Sequence, residues 1–293
     1  MHKLIEMNML RIILVLFLVS CSNAVINKKS ENYDSRVRYL IIHYTSENFA
    51  ESLRLLTQRT DRPVSAHYLI PELNDVTYKK NNLRIYQLVD ENNRAWHAGL
   101  SYWDGERGLN DNSIGIEIVN TSGCDKSINQ LDRFEDLQAS CNFKEFDSGQ
   151  IDLVVNLLEA IIERHPNIKP KNIVGHSDIA PDRKIDPGPF FPWFKLYERG
   201  FGAWYEVSDY EYFLNKFNNE LPNIMKLQEA LANYGYEIEA TGVEDKQSKN
   251  AVRAFQLHFR PNKYDGLFDK ETAAIIYALN KKYKEVSAAE AAH

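Results

Sequence analysis

Three short apolar runs constrain this chain more than any other feature. Residues 37–42 form a short run rich in branched residues. Residues 113–119 alternate Ile114, Ile116 and Ile118 with Ser113, Gly115 and Glu117, and Ile173-Val174 is a brief pair ahead of Gly175. Short runs rich in branched residues read as buried strands. The two-residue period of the second run points Glu117 away from the isoleucines. Each run delivers a residue capable of chemistry: His43 ends the first, Glu117 lies in the second, and His176 follows the third.

Residues 66–70 and 83–89 suggest further strands of the same sheet, and residues 51–59 a short helix. From Gln150 to His165, Ile151, Val154, Val155, Leu158, Ile161 and Ile162 recur at helical spacing until Pro166 ends the pattern. The expectation for residues 36–205 is an α/β or α+β domain with a mixed central β-sheet flanked by helices. Beyond Trp204 the texture turns helical. One helix carries Ile224, Leu227 and Leu231 and breaks at Gly235. A second, capped by Ser248, carries Ala251, Val252, Phe255 and Phe259. A third, capped by Asp269, carries Ala273, Ile276 and Leu279. This predicts a small three-helix domain over residues 223–284, with residues 206–222 as a connector and 285–293 as an Ala-rich tail. The Tyr and Phe content of the connector implies that it packs.

At the N-terminus, Lys3 and Arg11 precede an apolar run over residues 12–19, far shorter than the roughly 20 residues that span a bilayer. Leu18-Val19-Ser20-Cys21 resembles a bacterial lipobox. Residues 1–20 are therefore expected to be a signal peptide, Cys21 the lipidation site and residues 21–35 a lipid-anchored leader. Ser22 lacks the aspartate associated with inner-membrane retention, which points to an outer-membrane lipoprotein facing the periplasm. An ordinary cleaved signal with a chance cysteine is the alternative. An oxidising compartment would let Cys124 and Cys141 form a disulfide, contributing about 3 kcal/mol for a loop of this size; two reduced thiols are the other reading. A formal charge of −6 disfavours nucleic acid as a partner. With 44% hydrophobic and 26% charged residues, the chain has the make-up of a folded protein.

His43, His176 and Asp186, the last held ahead of Pro187-Gly188, supply two imidazoles and a carboxylate. A catalytic zinc site typically takes three such ligands and leaves a fourth position open for water. A lone strand histidine is more often a core residue, and no HExxH or paired Cys-x-x-Cys motif is present. Amide hydrolysis also needs a base and positive charge where the carbonyl oxygen becomes anionic. Glu117 and Lys184 fit these tasks, although an ion-paired strand glutamate and a solvated loop lysine are the plainer alternatives.

Ile42-His43-Tyr44-Thr45, Ser65-Ala66-His67-Tyr68, Ala95-Trp96-His97-Ala98-Gly99, the strand from Ser113 to Ile118, and Gly175-His176-Ser177-Asp178-Ile179-Ala180-Pro181 through Asp186-Pro187-Gly188 closely resemble the type-2 N-acetylmuramoyl-L-alanine amidases. The resemblance runs in order over residues 36–200 and is nearest to outer-membrane lipoprotein members. It implies that His43, His176 and Asp186 bind Zn2+, that Glu117 is the catalytic base, and that Lys184 stabilises the oxyanion. The bond cut would be the amide between N-acetylmuramic acid and L-alanine in peptidoglycan or muropeptides. Trp96, His97 and His67 would bind substrate, with packed or structural roles as alternatives. Asp178 reads as a loop cap, since a fourth protein ligand would close the site to water. Leu227-Gln228, Tyr234-Gly235-Tyr236, residues 251–256 and residues 265–269 resemble a three-helix peptidoglycan-binding domain, which as a tethered module would raise the local concentration of cell wall. The expected partners are peptidoglycan, muropeptides and, through the anchor, a membrane; the expected state is a monomer. A noncatalytic peptidoglycan-recognition protein and a zinc peptidase acting within the stem peptide are the rival functions.

Overall fold

Why the fold places His43, Glu117 and His176 together follows from the order of its strands. The computed structural model describes residues 26, 28, 30–32, 34–131 and 133–285. The expected signal peptide, Cys21 and residues 286–293 of the tail lie outside the described residues. In chain order the first elements are β1 (Tyr39–Tyr44), α1 (Phe49–Thr57), β2 (Tyr68–Ile70), β3 (Tyr86–Gln87), β4 (Tyr102–Trp103), β5 (Glu106–Arg107) and β6 (Ser113–Ile118). The middle of the chain adds β7 (Gly123–Cys124), α2 (Phe134–Ser140), β8 (Cys141–Asn142), α3 (Ser148–Arg164), β9 (Ile173–Gly175) and α4 (His176–Ile179). Helices then take over: α5 (Trp193–Glu198), α6 (Val207–Asn219), α7 (Ile224–Tyr234), α8 (Lys246–Phe259) and α9 (Lys270–Asn280).

The main sheet has the order β3-β2-β6-β1-β9. Of its four pairings three are parallel, β1 with β6, β1 with β9 and β2 with β6, while β3 pairs antiparallel with β2 at the edge. Parallel neighbours require crossovers, and helices supply them. Leu40 and Ile42 of β1 and the three isoleucines of β6 pack with Ile151, Val154, Leu158 and Ile161 of α3. The other parity of β1, Tyr39 and Ile41, joins a cluster on the opposite face. His43 shares that parity, and its register partner on β6 is Glu117.

The expected strand over 83–89 shortens to Tyr86–Gln87, because the partner strand offers only Tyr68 and Leu69 for pairing; Leu83 and Leu88 pack instead beside Phe49 and Leu69. The second C-terminal helix starts at Lys246, capped by Asp245, whose side chain accepts from the Ser248 backbone N–H at 3.0 Å. Ser248 is thus inside the helix and donates its hydroxyl to the same carboxylate at 2.8 Å. Most of the expected connector is α6, whose Phe213 and Phe217 rings meet Tyr277 of α9 at 5.5 and 5.0 Å.

The described residues from Ser35 to residue 285 form one compact unit. Tyr39, Ile41, Val174 and Ile179 lie in one apolar cluster with Leu231, Tyr234, Tyr236, Phe255 and Ile276 of the C-terminal segment. The β4–β5 hairpin drives Trp103 into it, with the indole edge-on to Tyr234 and Tyr236 at 6.0 and 4.9 Å. Gly235 ends α7 at φ 145°, and a Cβ there would stand 3.2 Å from the indole. Near the site, Cys124 and Cys141 face each other across the β7–β8 pair and are bonded, S–S 2.00 Å.

Candidate metal centre

Three chain segments converge where the parallel strands end. His43 is the fifth residue of β1; β9 runs beside it and passes directly into α4, whose first residue is His176. Asp186 comes from the following loop, which is tied back to α4 by the Ser177 N–H donating to the Asp186 carbonyl at 2.8 Å. His43 Nδ1 lies 3.0 Å from His176 Nδ1, and each nitrogen is 3.1 Å from Asp186 Oδ2. All three residues are buried, at 1%, 3% and 7% exposure respectively. One ion with tetrahedral bonds of about 2.0–2.1 Å needs donors about 3.3 Å apart, close to this triangle. The three atoms form a possible metal-holding group.

The surrounding hydrogen bonds turn the donors inward. His176 Nε2 faces the Ala98 carbonyl at 3.3 Å, which places its proton there and leaves the Nδ1 lone pair on the triangle. Burial pushes the His176 imidazole down to about 4, so it is neutral at pH 7. Burial opposes ionisation of Asp186, but the facing His176 and His43 outweigh it and hold the carboxyl well below its ordinary range. On the other imidazole, His43 Nε2 donates to His97 Nδ1 at 3.1 Å. His97 Nε2 then donates to Ser113 Oγ at 3.3 Å, and Ser113 Oγ donates to the Leu109 carbonyl at 2.5 Å. This proton order follows from the Nδ1 lone pair of His43 facing the triangle. Gly115 makes room for it, since a Cβ there would lie 2.4 Å from His97 Cγ.

Glu117 is the register partner of His43. Its Oε2 is buried and meets no hydrogen-bond partner among the described residues. Burial raises its pKa to about 7, with Asp186 adding to the rise and His43 and Lys184 opposing it. The Lys184 charge acts weakly on both Glu117 and His176, in each case lowering the pKa.

Two expected substrate contacts are corrected. His97 is buried behind His43 with both ring nitrogens occupied. His67 is fully buried; its Nδ1 accepts from the Gly115 N–H at 3.0 Å and its Nε2 meets the Asn93 carbonyl at 3.2 Å. Neither ring has a nitrogen left for a ligand. Trp96, at 51% exposure, remains open to one. Asp178 caps its turn as expected, accepting from the Gly175 N–H at 2.7 Å. Three contributors escaped sequence reasoning. Ser113 shares the alternation that singled out Glu117 and was legible there. Asn110, in a single 3-10 turn, accepts from the His97 and Ala98 N–H groups, and Arg183, in a loop, donates to the Ala98 and Leu100 carbonyls; neither segment carries a periodic signal.

A mixed sheet that brings two imidazoles and a carboxylate together at its strand ends, with a buried, unpartnered carboxyl beside them, has the parts of a hydrolase site. The N-acetylmuramoyl-L-alanine amidase family model matches residues 33–189, and a peptidoglycan binding domain model matches residues 220–276. The chain belongs to the N-acetylmuramoyl-L-alanine amidase family. It is 42% identical over 249 residues to the N-acetylmuramoyl-L-alanine amidase AmiD of Escherichia coli, covering 85% of this chain and 84% of that protein. AmpDh3 of Pseudomonas aeruginosa superposes with a TM-score of 0.79 at 44% identity, covering 88% of this chain and 96% of that one. E. coli AmiD, in complex with anhydro-N-acetylmuramic acid-L-Ala-D-gamma-Glu-L-Lys, superposes at 0.73 and 40% identity over 87% and 93% of the two chains.

Proposed function

We propose that this amidase holds one zinc ion on His43 Nδ1, His176 Nδ1 and Asp186 Oδ2 and releases the complete stem peptide from muramic acid. The observation that carries the reading is the donor triangle, with its two imidazoles oriented by Ala98 and His97 and with the unpartnered Glu117 Oε2 beside it. Two imidazoles and one carboxylate are a donor set suited to catalytic zinc, which supplies Lewis acidity toward the carbonyl and acidifies water. Glu117 takes the proton from the attacking water and hands it to the leaving nitrogen of L-alanine; its buried Oε2, with no hydrogen-bond partner among the described residues, is open to that exchange. Lys184 puts a positive charge where the carbonyl oxygen becomes anionic. Trp96 offers an exposed aromatic face to the glycopeptide.

Structures of two relatives hold anhydromuramyl peptides, which supports muropeptides of this class as substrates here. The signal-like leader and the lipobox at Cys21 support an anchored protein in the outer membrane, facing the periplasm. The test is mass spectrometry of digested muropeptides combined with metal analysis. The reading requires stoichiometric zinc and free peptides that begin with L-alanine. Cleavage inside the stem peptide, or turnover undiminished after zinc is stripped, would refute it.

A further inference from the structure

Asp178 is fully buried, two residues beyond His176, and its carboxylate is held from outside the sheet domain. Oδ2 accepts from the Gly175 N–H and from His258 Nδ1, each at 2.7 Å, and Oδ1 accepts from the Tyr236 hydroxyl at 2.5 Å. Tyr236 follows α7 and His258 lies in α8, so both belong to the segment matched by the peptidoglycan binding domain model. Neither side chain has freedom to leave. The His258 ring is stacked between Trp193 at 3.8 Å and Phe259 at 4.0 Å, while Tyr236 is wedged edge-on against Trp103 and Phe255.

We propose that Tyr236 and His258 are positioning residues of the metal centre, acting through Asp178 on the turn that presents His176. The inference rests on the reading of His43, His176 and Asp186 as metal ligands. A buried carboxylate stays in place only while its acceptor sites are filled. With both outside donors present, Asp178 locks Gly175 and closes the single turn whose first residue is His176. The same turn holds the Asp186 backbone through Ser177, so two of the three ligands hang on it. With the donors gone, only the Gly175 N–H remains of the three contacts, and the turn is free to relax away from the buried position. The helical segment thereby takes part in building the site as well as packing beside it.

The test is zinc affinity by chelator competition on the whole protein, with a thermal melt at saturating zinc. Four variants are compared with the wild type: Tyr236→Phe, His258→Leu, His258→Asn, and Phe217→Leu as a packing control in the same cluster, whose ring meets Phe213 and Tyr277. Loss of support behind a metal ligand typically weakens binding about 10- to 100-fold, so His258→Leu is expected in that range, Tyr236→Phe near tenfold, and His258→Asn, whose amide can replace the Nδ1 donor, within about threefold of the wild type. Phe217→Leu is expected to lower the melting temperature while leaving zinc affinity unchanged. The proposal is overturned if either Tyr236→Phe or His258→Leu binds zinc as tightly as the wild type, if His258→Asn is as weak as His258→Leu, or if Phe217→Leu loses as much affinity. A wild-type protein that takes up no zinc would instead overturn the metal-centre reading itself.

Discussion

The ring of His97 has one nitrogen committed to His43 and the other to Ser113, so its influence on the reaction passes through the metal ligand. His97→Phe keeps the ring volume and removes the acceptor for His43 Nε2–H, leaving a buried donor unpaired. Zinc affinity is expected to fall about 10- to 100-fold with the fold intact, as read by chelator competition and circular dichroism. Unchanged affinity would return His97 to a packing role. A second residue-scale prediction concerns acid stability. Burial would raise the Glu91 carboxyl, but Arg164, Tyr68 and His165 outweigh it and lower the pKa from 4.5 to about 2. A depressed carboxylate pKa stabilises the fold above the unfolded value, and that contribution disappears as pH falls from about 4.5 toward 2. Because Arg164 is half exposed, the effect is discounted to about 2 kcal/mol at pH 7. Urea unfolding of Glu91→Gln should show that deficit at pH 7 and little of it near pH 2; a deficit independent of pH would contradict the assignment. The donor residues were legible in the sequence because each follows a strand or lies in a Pro-Gly loop. The hydrogen bonds that orient them were not, since Ala98, Asn110 and Asn93 supply backbone or loop groups whose placement depends on tertiary contacts.

Among the elements, β1, β6 and α3 could be read from pattern because each buries a periodic face. The stripe in α6 was present too: Tyr210, Phe213, Leu214 and Phe217 fall at helical spacing, but polar neighbours made the segment resemble a connector. The segment after Val119 offered no period at all. Its order comes from the Cys124–Cys141 bond and from Phe134 and Phe143, which meet Tyr264 at 5.1 and 6.3 Å. A Cβ at Gly188 would lie 3.1 Å from Phe143, so this segment also borders the loop bearing Asp186. Replacing both cysteines with serine is expected to cost about 2–3 kcal/mol, since the bond closes a loop 17 residues apart in sequence. Thermal melts of the oxidised protein and the double-serine variant would measure this. Equal melting temperatures would show that aromatic packing alone fixes the segment.

At the scale of the whole molecule, the C-terminal helices were expected to be a tethered module with a core of their own, and the observed cluster shows why that description falls short. Ile41, Val174, Ile179 and Trp103 of the amidase segment share one buried cluster with Tyr234, Tyr236 and Phe255. The advantage of a flexible linker, a tunable effective concentration, does not apply to a segment packed in this way. Complete exposure of a large apolar side chain costs about 1.5–3 kcal/mol, so uncovering those four amidase-side residues removes an amount comparable to the roughly 5–15 kcal/mol that typically separates folded from unfolded domains. A chain ending at residue 205 is therefore expected to aggregate or to lose its cooperative melt. The measurement is a thermal scan with light scattering on the truncated and complete proteins. A soluble truncated protein that melts cooperatively within a few degrees of the complete one would show that the sheet face needs no cover, and would leave the helices as an attachment.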